Sequence, residues 1–138
     1  EDEAFFQFTA GLIKLRKRFP LLACPRFLHG GRAMPDGTKD VTWLRPDAAE
    51  MQQSDWNNGY GRSIALMLAA GGTSPLLIML NAHHEDLEYR TPKPRAVLNW
   101  RLLADSARGL IEPGELPLKA GGVLTLPARG VLLFEGRG

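Results

Sequence analysis

Two imidazoles and a carboxylate stand together at His83-His84-Glu85, a set that could bind a metal ion or pass protons. Backbone geometry works against a shared ion. Successive side chains on a strand point to opposite faces, so the two rings converge only where the strand has ended or bulged. A surface turn or a strand end is the ordinary setting for such residues, and no metal and no cofactor is assigned. The third histidine, His29, stands alone beside Gly30 and Gly31.

The other candidate groups for covalent or acid-base chemistry lack their surroundings. Ser54, Ser63, Ser74 and Ser106 have no G-x-S-x-G context, and no Gly-rich phosphate loop leads from a strand into a helix. Among 15 acidic residues, pairs for glycoside hydrolysis can be drawn from Asp40, Asp55, Glu85 or Asp86, but spacing raises none of them above chance. Cys24, between Leu22 and Phe27, reads as a small packed residue rather than a reactive thiol. No catalytic residue is assigned to this chain.

Aromatic side chains open a different possibility, because sugar rings have flat apolar faces that stack on them. Trp43, Trp56, Tyr60, Tyr89 and Trp100 are the candidates, against the usual role of aromatics as core residues. Trp56 and Tyr60 are the better placed. They share a loop with Asn57, Asn58 and Arg62, which supply hydrogen bonds for sugar hydroxyls, whereas Trp43 and Trp100 fall within predicted strands.

The elements that must position these groups follow from periodicity. Phe5, Phe8, Leu12, Leu15 and Phe19 recur at three- and four-residue steps and predict one amphipathic helix, with basic residues near its end and Pro20 stopping it. Phe6 and Ile13 widen its apolar face beyond what one small sheet needs to cover. From Pro20 to Gly61 the chain is rich in Gly, Pro and Asp, with a turn at Met34-Pro35-Asp36-Gly37, one short strand at Asp40-Val41-Thr42-Trp43-Leu44-Arg45 before Pro46 and a brief helical turn at Ser54 to Gly59. Beyond it lie short apolar runs: Ser63 to Ala69, Leu76 to Ala82, Leu87 to Arg90, Val97 to Ala104, Val123 to Leu126 and Val131 to Phe134. Turn residues divide them and no helices intervene, which predicts an all-β antiparallel β-sandwich. The expected division is helix 1–20, connector 21–61 and sandwich 62–138.

Composition narrows the function. A net charge of +2, with basic residues scattered apart from Lys14, Arg16, Lys17 and Arg18, is a poor footprint for nucleic acid. No apolar run approaches the roughly 20 residues that span a bilayer. One cysteine favours a reducing, cytoplasmic setting. The opening Glu1 and the absence of a leader pattern suggest a boundary inside a longer chain.

Several of these segments together resemble the C-terminal end of bacterial glycogen-debranching enzymes of the isoamylase type, in the α-amylase superfamily (glycoside hydrolase family 13). They are Leu12-Ile13-Lys14-Leu15-Arg16-Lys17-Arg18-Phe19-Pro20, Asp40-Val41-Thr42-Trp43-Leu44, Met51, Asp55-Trp56, Leu80-Asn81-Ala82-His83-His84-Glu85, Asn99-Trp100-Arg101 and Leu126-Pro127-Ala128-Arg129, in the family's order. The resemblance implies a helix that ends a catalytic barrel and a sandwich that packs on that barrel. The parent enzyme would hydrolyse α-1,6 branch linkages in glycogen or limit dextrin by a retaining mechanism whose carboxylates lie on the barrel. The expected role of this chain is therefore non-catalytic packing against its own barrel. The alternative is an α-glucan-binding module using Trp56, Tyr60, Asn57, Asn58 and Arg62. Without the barrel, a stripe of Phe5, Phe8 and Leu12 should fold back on the sandwich or self-associate with another copy.

Overall fold

The computed structural model describes residues 2–18, 41–52, 63–69, 74–94, 97–106, 109–110 and 118–138. Helix α1 runs over Asp2–Arg18, with Arg16, Lys17 and Arg18 in its last turn, where positive charge suits the negative end of the helix dipole. The strands are β1 (Val41–Leu44), β2 (Ser63–Leu68), β3 (Leu76–Asn81), β4 (Leu87–Arg90), β5 (Asn99–Asp105), β6 (Gly109–Leu110), β7 (Leu118–Lys119), β8 (Val123–Leu126) and β9 (Gly130–Arg137). All the strand pairings are antiparallel, as the turn-divided apolar runs predict. The two-residue strands β6 and β7 were too short to leave a pattern in the sequence.

Seven strands make one sheet in the order β1-β2-β3-β9-β5-β6, with β7 also on β5, while β4 and β8 form a second sheet. The short strand of the connector thus joins the large sheet as its edge, paired Val41 to Leu68 and Leu44 to Ala65. The main core lies between the sheets. Ala65, Met67, Leu77, Met79, Leu132, Phe134 and Trp100 from the large sheet meet Tyr89 and Leu126 from the small one. This is a sandwich, with each side chain placed by the two-residue period of its strand.

A second cluster occupies the other face of the large sheet. Val41, Leu68, Leu76, Leu103, Ala104 and Leu133 are buried there, and Phe8 of α1 packs against them with Leu66 and Ile78. Phe8 therefore folds back on the sandwich. Leu12, 37% exposed, borders the same contact, and the side chain of Phe5 lies outside the described residues. Between Leu102 and Ala104 the β5-β9 register shifts, so Leu103 and Ala104 together face this outer side.

Candidate docking face

The proposed sugar platform, Trp56, Asn57, Asn58, Tyr60 and Arg62, lies outside the described residues, as does the Met34 to Gly37 turn. The remaining aromatics separate clearly. Trp100 is fully buried and its Nε1 donates to the Pro92 carbonyl at 2.8 Å. Tyr89 is buried too, and its hydroxyl donates to Ser63 Oγ. Burial pushes the Tyr89 phenol above its ordinary pKa, with the Ser63 bond opposing that shift. Trp43 is different: it lies on β1 yet stays 38% exposed.

His83 and His84 occupy the turn after β3, where strand alternation no longer applies. Their rings stack with centroids 4.4 Å apart. His83 Nδ1 accepts the Glu85 backbone N–H at 3.1 Å, and His84 Nε2 lies 3.6 Å from Glu85 Oε1. Among the described residues no group of three or more His, Cys, Asp or Glu side chains is placed to hold a metal ion.

What this turn does is structural. Asn81, 3% exposed, donates from Nδ2 to the carbonyls of Glu85, Leu126 and Pro127 at 3.0, 3.3 and 3.1 Å, and its Oδ1 accepts from His83 N at 2.8 Å. Ala128 N donates to Asp86 Oδ1 at 2.8 Å, and Arg129 N donates to the His83 carbonyl at 3.1 Å. Two sequence segments far apart in the chain, around Asn81 to Asp86 and Leu126 to Arg129, are thus one joint that ties the β3-β4 turn to the β8-β9 turn. A similar joint forms around buried Thr91, whose Oγ1 accepts from Gly121 N at 3.0 Å while Gly121 holds φ at 83°. Asn99-Trp100-Arg101 places Trp100 in the core. Asn81, Asp86 and Thr91 tie turns together, and Trp100 fills the core.

The feature that calls for a partner is the outer face of the large sheet. Register lines up Trp43 with Leu66, Leu66 with Ile78 and Ile78 with Leu133, and beside them Ile64 with Leu80 and Leu80 with Val131. Leu66, Ile78, Ile64 and Leu80 are only partly covered, and Val131 is 40% exposed. A sheet face meant for water alternates with polar residues, whereas β3 is apolar at five of its six positions and β9 is apolar from Val131 to Phe134, as strands covered on both sides are. That run was visible in the sequence as Leu76-Leu77-Ile78-Met79-Leu80 and Val131-Leu132-Leu133-Phe134, although exposure of Trp43 was not.

Helix α1 covers only one corner of this face. Where it leaves off, an open cleft of about 360 Å³ is walled by Phe8 and Leu12 of the helix and by Ile78, Ala104, Val131, Leu133 and Ser106. Ser106 supplies the one hydroxyl, and it already accepts from Val131 N at 2.9 Å. At the far margin Glu135, 5% exposed, accepts from Arg137 Nε at 3.1 Å and pairs with its Nη2 at 3.0 Å. The whole surface can exclude water from another apolar surface.

Comparison with known proteins places most of the chain in one family. Residues 40–134 match the family described as "Isoamylase, C-terminal". A glycogen operon protein GlgX homolog from Mycobacterium tuberculosis is 27% identical, over 93% of this chain and 19% of that protein. A glycogen debranching enzyme from Cronobacter sakazakii is 29% identical, over 97% of this chain and 17% of that one. The chain therefore spans about a fifth of the length of these relatives. Among solved structures, an isomaltulose synthase mutant from Erwinia rhapontici NX5 in complex with D-glucose superimposes with a TM-score of 0.51 at 12% identity, over 93% of this chain and 17% of that one, a likeness of fold. With the sandwich formed and more than half its residues matched, the chain belongs to the isoamylase C-terminal family.

Proposed function

We propose that this domain packs against the catalytic domain of a glycogen-debranching hydrolase and stabilises it, adding no catalytic residue of its own. The observation that carries the reading is the partly covered outer sheet face, with Trp43, Leu66, Ile78 and Val131 in adjoining register and a cleft beside α1. Its size and apolar character suit a permanent neighbour, since such a surface is unfavourable in water. The relatives support the identity of that neighbour, because each is about five times as long as this chain and two carry glycogen in their names.

The test uses the enzyme with and without its preceding domain. The 138-residue chain alone is expected to release no linear chains from glycogen limit dextrin, while in the full-length enzyme Ile78→Asp with Val131→Asp lowers the thermal transition of the catalytic domain and leaves kcat/KM per folded molecule unchanged. Hydrolysis by the isolated chain, or an unchanged transition in the double variant, would overturn it. Titration with malto-oligosaccharides tests the sugar-holding role instead: the expected result is no saturable amide shift at millimolar sugar, whereas shifts abolished by Trp56→Ala would make the loop of Trp56, Asn57, Asn58, Tyr60 and Arg62 a substrate platform.

A further inference from the structure

The outer face of the large sheet grows more open along one direction. Register divides it into rows that run across the strands. Val41, Leu68, Leu76 and Glu135 make the first row, and all four are buried. Trp43, Leu66, Ile78 and Leu133 make the second, where Trp43 is exposed and Leu66 and Ile78 only partly covered. Ile64, Leu80 and Val131 make the third, with Val131 exposed and the other two partly covered. One position past the third row Asn81 pairs with Gly130, and there the β3-β4 and β8-β9 turns begin. His84 and Glu85, with 61% and 71% of their side chains exposed, stand on the first turn and exposed Arg129 on the second. The small sheet offers a contrast, since Glu88, Arg90 and Thr125 are exposed beside Val123, a mixed surface that suits water.

We infer that the catalytic domain, seated alongside α1 over the second and third rows, closes on these two turns, with His84, Glu85 and Arg129 as the polar rim of the contact. The inference rests on the docking role proposed above and fixes which end of the face meets the partner. Stable interfaces keep apolar residues at the centre and polar ones at the margin. Here the open rows supply the centre, and the turns supply a margin on the side where the face opens. Rim groups that are already ordered cost little to dock. These are ordered by the bonds of Asn81, by the Arg129 N–H on the His83 carbonyl, and by His83 Nδ1 on the Glu85 N–H. Arg129 is moreover held at a φ of 50°, which a residue other than glycine keeps only where its surroundings impose it. Charges of both signs on one margin set the register of two surfaces more than their affinity. The partner surface accordingly presents an acidic group to Arg129 and a basic one to Glu85.

Hydroxyl-radical footprinting of the full-length enzyme, read by mass spectrometry, tests this without any substitution. Trp43, Val131 and His84 are expected to react several-fold more slowly than Leu98 and Val123, each corrected for its intrinsic reactivity, although Leu98 is 62% and Val123 50% exposed in the same fold. The pattern should be the same at about 1 µM and about 20 µM enzyme, because contact within one molecule does not follow mass action. A freely reacting His84 beside protected Trp43 and Val131 would overturn the rim and leave the docking role standing. Trp43 and Val131 as reactive as Val123 would overturn both. Protection of His84 that grows with concentration would also overturn the rim, because the turn would then meet another copy rather than its own catalytic domain.

Discussion

Asn81 carries four hydrogen bonds on one buried side chain. One amide serves three carbonyls and one backbone N–H, joining the turn after β3 to the turn after β8. Replacing it by Ala leaves those groups to find other partners in a site that is closed to water, at a cost of about 3 kcal/mol. Asn81→Asp is expected to cost at least as much, because a carboxylate cannot donate and would face three carbonyl oxygens. Urea denaturation of both variants checks the order. The residue was legible in the sequence only as part of a resemblance; its bonds depend on carbonyls 45 and 46 positions away, which no local pattern encodes. The histidines beside it illustrate the reverse case, since they lie where a turn or strand end was expected: β3 ends at Asn81 and their rings stack just beyond it.

Strands and the helix were readable in proportion to their length. The six apolar runs after residue 62 became β2, β3, β4, β5, β8 and β9, while β6 and β7, two residues each, became strands only because β5 lies alongside them. Periodicity also identified Phe6 and Ile13 as additions to the apolar face of α1, and they remain the helix's outward residues. It could not say which strands would be neighbours. That depends on packing, and β9 shows how tight the packing is. A Cβ built on Gly136 would lie 2.9 Å from Pro75 Cγ, 2.9 Å from Val97 Cγ2 and 3.1 Å from Trp100 Cζ3. Trp100 cannot easily retreat, because its Nε1 is bonded to the Pro92 carbonyl. Gly136→Ala should therefore destabilise the domain by about 1–3 kcal/mol despite the better strand propensity of Ala, measurable as a lower denaturation midpoint with an unchanged slope.

At the scale of the whole molecule, the buried phenol of Tyr89 links the core to pH. Burial raises its pKa above 10.0 in the folded state, so folding favours the neutral form. The associated stability is present in full below pH 10 and is lost as pH rises from there through the raised folded value. Ultraviolet titration of the chain's two tyrosines is expected to show one group ionising late, with the denaturation midpoint falling over the same range. Tyr89→Phe should abolish the late group and flatten that fall. Overall architecture was the most legible level, since turn-divided apolar runs leave few alternatives to a sandwich. The candidate site was less so: an outer sheet face is exposed or covered according to what lies across it, and the sugar loop around Trp56 lies outside the described residues.

The place of β9 in the large sheet bears on how the domain comes into being during synthesis. The described strand latest in sequence sits in the middle, hydrogen-bonded to β3 on one side and β5 on the other. Until it leaves the ribosome, the β1-β2-β3 portion and the β5 portion each end in an open edge facing the gap, a state prone to wrong pairings. A transcript broken before Gly130 would yield two half-sheets and no closed core. A chain that stops short of β9 therefore leaves that central gap unfilled, and the two portions on either side have no strand to join them.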